Sequence, residues 1–242
     1  MATMTELYHL SINLHGNKND NITVDDCFNE LLKATCIVHN LTNEEQQWYL
    51  TGYSKSEASK YLVFDKNKPS TYAYNNYQKS YKKNNFLINK SIWNNKEDGM
   101  VCAISHHMMF IDNLKSFDLV INMHQKPKDI KTLIKSVAII SKDKENTWIT
   151  VDSKGYRLHG RNVFPDRMSV GWILYLPHII LPELVPEAAR VIPVLDEGKQ
   201  RGTIIVTTEE FFDGAKKEHI EKANDIEIRL LDLGMLPLMT EL

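Results

Sequence analysis

A charged turn that leads into a continuous apolar run is the feature of this 242-residue chain that most limits its fold. The turn is a proline, an aspartate and an arginine at 165–167, and residues 170–176 then supply Val, Trp, Ile, Leu and Tyr before Pro177. A run of this length between turn residues is typical of a buried strand. We therefore expect residues 170–176 to form a strand of the core, with Trp172 in the interior.

The composition indicates a globular protein with a substantial core. The chain is 43% hydrophobic and carries a net charge of −2, both unremarkable for a globular domain. No segment approaches the roughly 18 apolar residues of a membrane span, and the first six residues do not have the pattern of a secretion signal. Cys27, Cys36 and Cys102 show no metal-site spacing, which predicts reduced thiols. The expectation is a cytoplasmic protein without a cofactor.

The N-terminal third carries signals for strands and helices. Residues 8–14 alternate between apolar and polar, which predicts a half-buried strand. Thr23 and Asp26 have the spacing of a capping box, and the apolar face that follows predicts a helix. A short strand or extended segment is expected at residues 48–53, followed by a serine-capped helix over residues 54–64.

The region 66–95 is rich in lysine, asparagine and tyrosine and is predicted as a helix flanked by long loops. Tyr72, Tyr74, Tyr77 and Tyr81 share one face of that helix. Basic side chains hold phosphates and aromatic rings stack on bases, so this face could bind nucleic acid. The alternative is an amphipathic helix whose tyrosines pack on the domain. We favour it because the pI of the chain is near neutral.

Strands outnumber helices in the middle of the chain. The predicted elements are strands at residues 101–110 and 117–123, a helix at 126–141, a hairpin at 148–158, the strand at 170–176, a hairpin at 190–207 and a final helix that ends before Gly234. Thr208 also opens a predicted helical segment with Glu209 and Glu210 in its first turn, where negative charge suits the helix dipole.

This order of elements predicts an α+β fold with a mixed or antiparallel central sheet and flanking helices. One domain is expected to cover residues 1–242. Residues 1–95 are a candidate subdomain, and residues 66–95 are an irregular insert within it.

The residues with chemical potential each have a structural alternative that we favour. His106 and His107 would point to opposite faces of a strand, so they cannot bind one metal ion from regular structure. Cys102 with either histidine could be a nucleophile and its base, but a cysteine in an apolar strand is more often a small buried hydrophobe. No nucleophile elbow, phosphate loop or dinucleotide motif occurs. We therefore predict no catalytic residue and no metal site.

Asp166 and Arg167 allow two interpretations. A turn before a strand places charged side chains at the mouth of that strand, where they could contact a partner. In the structural alternative, which we favour, Asp166 caps the turn and Arg167 bridges to an acidic neighbour such as Glu187.

Charge is unevenly distributed along the chain. Residues 183–242 contain 13 acidic and 7 basic residues, a net charge of −6, whereas residues 55–96 contain 9 basic and 2 acidic residues, a net charge of +7. Opposed charges of this kind can steer a charged partner, and ordinary solvated surface is the alternative.

Further motifs accompany the segment at 160–177. They are Trp48 with Gly52, Ser54, Glu57 and Ala58, then the Val-Pro-Glu-Ala-Ala of residues 185–189, the Gly-Thr-Ile-Ile-Val of residues 202–206, and residues 219–227. Together these motifs resemble the immunity protein 52 family of bacterial toxin–immunity systems. The resemblance runs from about residue 48 to residue 237 and departs from the family pattern in residues 66–96.

The resemblance implies a bacterial protein of polymorphic, type VI secretion-type toxin systems that binds and neutralises a cognate toxin. The toxins of such systems resemble restriction-endonuclease-fold nucleases, and the expected mechanism is a block of the toxin's catalytic cleft or substrate path. Neither nucleic acid nor a membrane is an expected partner. The candidate toxin-binding residues are Asp166, Arg167, Glu209, Glu210, Asp213, Glu218 and Glu221. The alternatives are an interaction module without a toxin, and an enzyme with an unfamiliar site such as a cleft lined by His106, Asp166 and Arg167.

Overall fold

The computed structural model describes residues 9–18, 22–85, 87–97, 99–111, 114–142 and 147–242. The fold is α+β with antiparallel β-sheet, which confirms the predicted class. Contacts divide the chain into two compact units. The first unit contains His9 and Lys18–Lys126, and the second contains Leu10–Asn17 and Pro127–Leu242. The suggested subdomain at residues 1–95 stays a prediction.

The described part of the first unit contains three helices and four main strands. They are α1 (Val24–Thr42), β2 (Tyr49–Leu50), α2 (Lys55–Ala58), α3 (Thr71–Lys83), β5 (Asn89–Trp93), β6 (Cys102–Ile111) and β7 (Leu114–Met123), with β3 (Phe64–Asp65) and β4 (Lys68–Pro69) as a separate ribbon. The four main strands pair antiparallel in the order β7-β6-β5-β2.

Helix α1 begins where its capping signal predicts. Thr23 accepts a hydrogen bond from the backbone N–H of Asp26, and the Asp26 carboxylate accepts one from the backbone N–H of Thr23 at 2.8 Å. This capping box satisfies two of the donors that a helix start leaves unpaired. The buried face of α1 includes Phe28, whose ring lies 4.6 Å from that of Tyr77 in α3. The helix is therefore held by its cap at one end and by aromatic packing along its length.

Two predictions for residues 54–95 need correction. The helix expected to reach residue 64 ends at Ala58, because the chain beyond it pairs with the β2 region instead. Val63 donates its N–H to the carbonyl of Trp48 at 2.8 Å, and Leu50 donates to that of Tyr61 at 3.0 Å. The predicted helix of residues 66–95 is confirmed as α3, but the expected loop after it contains β5.

The described part of the second unit contains five strands and two main helices. They are β1 (Leu10–Lys18), α4 (Ile130–Lys142), β8 (Thr147–Ser153), β9 (Ile173–Leu176), β10 (Arg190–Asp196), β11 (Lys199–Val206) and α5 (Lys217–Asp232). These strands pair antiparallel in the order β10-β11-β9-β8-β1. The predicted strand at residues 8–14 is thus confirmed for its described part, while residue 8 lies outside the described residues.

The apolar run expected to form a strand at residues 170–176 contains β9, which begins at Ile173. All four of its side chains are buried. Leu174 and Leu176 lie in a core cluster with Ile226 and Leu230 of α5, and α4 also packs on β9. A strand covered on both faces has no solvated positions, so its sequence is apolar without alternation. Trp172, just before the strand, is fully buried as predicted.

The predicted hairpin at residues 148–158 is wrong. β8 ends at Ser153, and residues 154–160 form consecutive turns. β8 already pairs with β1 on one edge and β9 on the other, so neither edge can accept a further strand. The hairpin predicted at residues 190–207 is confirmed by β10 and β11.

The predicted helical start at Thr208 is also wrong, since α5 begins at Lys217. Thr207 donates its N–H to the carbonyl of Trp172 at 2.9 Å and its hydroxyl to that of Gly171 at 2.7 Å. These bonds hold the chain extended beyond β11. Among the described residues, no helix combines the length and the apolar character that a membrane span requires.

Candidate protein-binding surface

The Pro-Asp-Arg turn is joined to the C-terminal segment of the chain. Arg167 donates from Nη1 to the carbonyl of Leu236 at 2.6 Å, and the backbone carbonyl of Asp166 accepts from the N–H of Met239 at 2.9 Å. The Asp166 side chain is exposed. The predicted bridge from Arg167 to Glu187 is wrong, because Glu187 is held by another arginine. The turn is therefore braced by backbone carbonyls rather than by an ion pair.

The buried imidazole of His219 is hydrogen-bonded to the carboxylate of Glu210 and to the backbone of Asp213. The Nε2 atom of His219 lies 2.8 Å from Oε1 of Glu210, while Nδ1 accepts the backbone N–H of Asp213 at 2.9 Å. Because Nδ1 is an acceptor here, the ring proton is assigned to Nε2, which donates to Glu210. Glu210 also pairs with Lys216 at 3.1 Å, and Asp213 pairs with Lys154 at 3.0 Å. The hydrogen bonds from His219 and Lys216 lower the pKa of Glu210.

The other acidic candidates are also largely compensated. Glu209 lies 3.6 Å from Arg190, and Glu221 lies 3.4 Å from Lys217, while Glu218 is exposed in the first turn of α5. Exposed pairs of this kind contribute little to stability, but they reduce the net field of the patch. The predicted acidic patch exists, and most of its carboxylates already have a basic neighbour.

The structure does not bring all candidate residues together. Glu218 and Glu221 lie at the start of α5, whereas Arg167 contacts Leu236 beyond the end of that helix. Sixteen helical residues span about 24 Å. The turn at residues 165–167 and the acidic candidates therefore belong to different ends of α5.

A buried carboxylate organises the chain around the Pro-Asp-Arg turn. Glu227 of α5 is fully buried. It accepts the N–H of Val163 at 2.8 Å, the N–H of Val170 at 3.0 Å and the hydroxyl of Tyr156 at 2.9 Å. Burial raises the pKa of Glu227, and these hydrogen bonds oppose that shift. The role of this carboxylate is structural, since it is occupied by the chain's own donors.

Two of the residues considered for catalysis, Cys102 and His106, lie in the interior, whereas His107 is half-buried and Asp166 is exposed. His106 is fully buried in β6, so it cannot line a cleft, and His107 faces the other side of the strand. Burial raises the pKa of Cys102 to about 12. Cys102 and His106 are four residues apart in one strand, a separation of about 13 Å. This distance is too long for a nucleophile–base pair. The described residues contain no cluster of three or more potential metal ligands.

The tyrosine face of α3 largely packs inward. Tyr77 is fully buried, and the hydroxyl of Tyr81 donates to the carbonyl of Ile22 at 2.9 Å. Tyr72 is half exposed and stacks on Tyr61, with ring centroids 3.7 Å apart, at the wall of a cavity of about 520 Å³. This arrangement agrees with the amphipathic interpretation and leaves few rings available for stacking on bases.

An exposed apolar segment lies between β9 and β10, and no sequence signal predicted it. Ile179, Leu181 and Leu184 are 60%, 58% and 39% exposed, and we call these three side chains the apolar ridge. Between and after them, Ile180 and Val185 are buried. The sequence has no helical or strand period here, so nothing in it indicated which side chains face the solvent.

The apolar ridge is held rigidly. Thr203 of β11 accepts the backbone N–H of Ile180 at 3.0 Å through its hydroxyl, which in turn donates to the carbonyl of His178 at 2.7 Å. Residues Pro182–Leu184 form a 3-10 turn, with the N–H of Leu184 bonded to the carbonyl of Leu181 at 3.0 Å. Three large apolar side chains are therefore presented to solvent on a fixed backbone.

Comparison with known proteins does not identify a family. No protein-family model matches this chain, and no curated protein matches it.

Proposed function

We propose that this chain is an immunity protein that binds and neutralises a cognate bacterial toxin in the cytoplasm, without catalysis of its own. The observation that carries the proposal is the apolar ridge of Ile179, Leu181 and Leu184. A single exposed hydrophobic side chain is normal on a protein surface. Three within six residues, on a backbone fixed by buried neighbours, are typical of a contact surface.

The rigidity of the ridge favours tight binding. Association requires that contact side chains and loops lose their freedom, and a surface that is already ordered loses less on binding. Tight binding is what an inhibitor of a lethal enzyme requires. The motifs that resemble the immunity family supply the second support. One of them, the segment at residues 160–177, contains β9 and the turn before it.

The proposed mechanism is steric. The bound chain occludes the catalytic cleft of the toxin or the path of its substrate. If the toxin is a nuclease, its cleft attracts phosphates and is therefore basic or metal-bound. Acidic side chains on this chain then complement it and accelerate encounter.

Co-expression with the toxin encoded beside this chain tests the proposal. We expect cells that carry both genes to grow and cells that carry the toxin alone to die. An immunity protein encoded with an unrelated toxin serves as the matched control and should not protect. Continued killing while this chain is soluble and folded would overturn the proposal and favour an interaction module with another partner.

A further inference from the structure

The apolar surface of the second unit extends from the ridge to helix α5. Val185, the buried residue that follows Leu184, lies in one core cluster with Ile226 and Leu230 of α5. Ile228, on the outer side of the same helix stretch, is 45% exposed. The end of the ridge segment lies beside Ile228, because Glu187 and Ile228 line one hollow.

An ion pair ties these two segments together. Arg229, the neighbour of Ile228, donates from Nε and Nη2 to Oε1 of Glu187 at 3.1 Å and 2.7 Å. Glu187 lies three residues after Leu184 in the chain. The pair fixes the end of the ridge segment against α5, and its two charges cancel each other.

The border of this surface is acidic. Asp225 and Asp232 line a hollow of about 240 Å³ together with Glu187, Ile228 and Arg229. Glu183 is exposed within the ridge segment. Asp232 interacts electrostatically with Arg229, whereas neither Glu183 nor Asp225 forms an ion pair within the described ranges. Glu183 and Asp225 thus differ from the acidic candidates at the start of α5, most of which have a basic neighbour.

The hollow holds more negative than positive charge. Both hydrogen bonds from Arg229 go to Oε1 of Glu187, and the charge of Arg229 also acts on Asp232. Three carboxylates and one guanidinium line the hollow, a net charge of −2. A lysine or arginine side chain complements this charge, with its aliphatic stem on Ile228 and its charge between the carboxylates.

We infer that the surface formed by the apolar ridge and Ile228, with Glu183, Asp225 and Asp232 at its border, docks a basic surface of the toxin. One lysine or arginine of the toxin enters the hollow beside Glu187. The inference rests on the proposed function and adds to it the surface used and the chemistry of the partner.

Binding of the purified toxin to truncation variants tests the apolar part. Leu181→Ala and Ile228→Ala should each weaken binding and raise the dissociation constant about thirtyfold, the effect of a hot-spot residue. Leu158→Ala is the matched control, because Leu158 is 78% exposed but lies in the turns after β8. We expect the control to bind within twofold of the wild type.

Two double variants on one helix test the charge. Asp225→Asn with Asp232→Asn should slow association roughly tenfold at low salt and remove most of its salt dependence. Glu218→Gln with Glu221→Gln, in the first turns of α5, removes the same charge away from the hollow and is the control, which should slow association less than the first double variant. Denaturant unfolding of each variant separates lost contact from lost fold.

The outcomes separate the two proposals. Wild-type protein that neither binds nor protects would overturn both. Wild-type protein that protects, with all variants binding equally, would overturn the docking surface and leave the immunity function standing. If only the Glu218 and Glu221 variant weakens binding, the start of α5 is the contact and this inference is wrong.

Discussion

The hydroxyl of Tyr156 donates a hydrogen bond to Oε1 of Glu227 over 2.9 Å and joins the turns after β8 to the middle of α5. The same carboxylate accepts the backbone N–H groups of Val163 and Val170, on either side of the Pro-Asp-Arg turn. One side chain thereby fixes three points of a segment that contains no helix or strand. The conformation of this segment therefore depends in part on a residue that is distant in sequence.

Replacement of Glu227 by alanine should destabilise the protein by about 3–5 kcal/mol, because two buried backbone donors lose their acceptor. Tyr156→Phe removes only one donor to the carboxylate and should cost about 1–2 kcal/mol. Denaturant unfolding measures both values. Glu218→Ala, at an exposed position of the same helix, is the control and should change the free energy of unfolding by less than about 0.5 kcal/mol. Equal values for Glu227→Ala and Glu218→Ala would contradict the structural role of Glu227.

The raised pKa of Glu227 predicts the sign of a pH effect. Burial makes the folded state bind a proton at a higher pH than the unfolded state, in which the ordinary value is 4.5. The wild type should therefore gain stability relative to Glu227→Gln as the pH falls from 7 towards 4.5. Unfolding curves of both proteins at several pH values test this sign. If the difference in the free energy of unfolding between the two proteins stays constant with pH, Glu227 has the same pKa in the folded and the unfolded state.

The three cysteines should differ in reactivity. Cys36 is exposed, whereas Cys27 and Cys102 are buried, and none of these three residues is in a disulfide. Burial raises the pKa of Cys102 to about 12, so its thiolate is scarce at any ordinary pH. A thiol reagent at pH 8 should label one cysteine in the native protein and three in denaturant. Rapid native labelling of Cys102 would mean that the strand β6 opens locally.

Trp172→Ala should cost about 3–5 kcal/mol, since a fully buried indole is replaced by a cavity. The indole N–H also loses its bond to the carbonyl of Thr208 at 3.2 Å. The free-energy cost of Trp172→Ala is a large share of a typical stability of about 5–15 kcal/mol. Denaturant unfolding gives the value, and an effect below about 1 kcal/mol would contradict the burial. Loss of protection in this variant would reflect loss of folded protein.

Asp166 and Arg167 should behave differently from each other. Arg167→Ala removes the bond to Leu236 and should cost about 1 kcal/mol, whereas Asp166→Ala, at an exposed side chain, should stay within about 0.5 kcal/mol. Both variants should still neutralise the toxin if binding uses the ridge. If they remain folded and fail to bind, the turn is part of the contact surface.

Where local chemistry decides the structure, the sequence was a good guide. The capping box of Thr23 and Asp26 starts α1, and the apolar run before Pro177 contains the doubly covered β9. The predictions were wrong where residues distant in sequence determine the local structure. The turns at residues 154–160 are fixed by the paired edges of β8, and the segment after Thr207 is held by carbonyls of Gly171 and Trp172.

The candidate site was predictable only in part. Composition revealed the acidic C-terminal region, but the sequence could not show that Glu210 and Asp213 are already held by His219, Lys216 and Lys154. The partner of Glu187 was equally hidden, because Arg229 lies 42 residues away in sequence. Ile179 and Leu181 are exposed because the core contains Ile180 and Val185 instead. The sequence does not indicate which of these apolar residues are buried.

The alternation of buried and exposed side chains in the ridge segment separates folding from recognition. Ile180 and Val185 anchor the segment, while Ile179 and Leu181 are more than half exposed. Exchange of these two side chains is therefore nearly neutral for folding. Such positions can diverge as fast as a partner changes, so a lineage can acquire a new specificity by substitutions that the fold does not oppose.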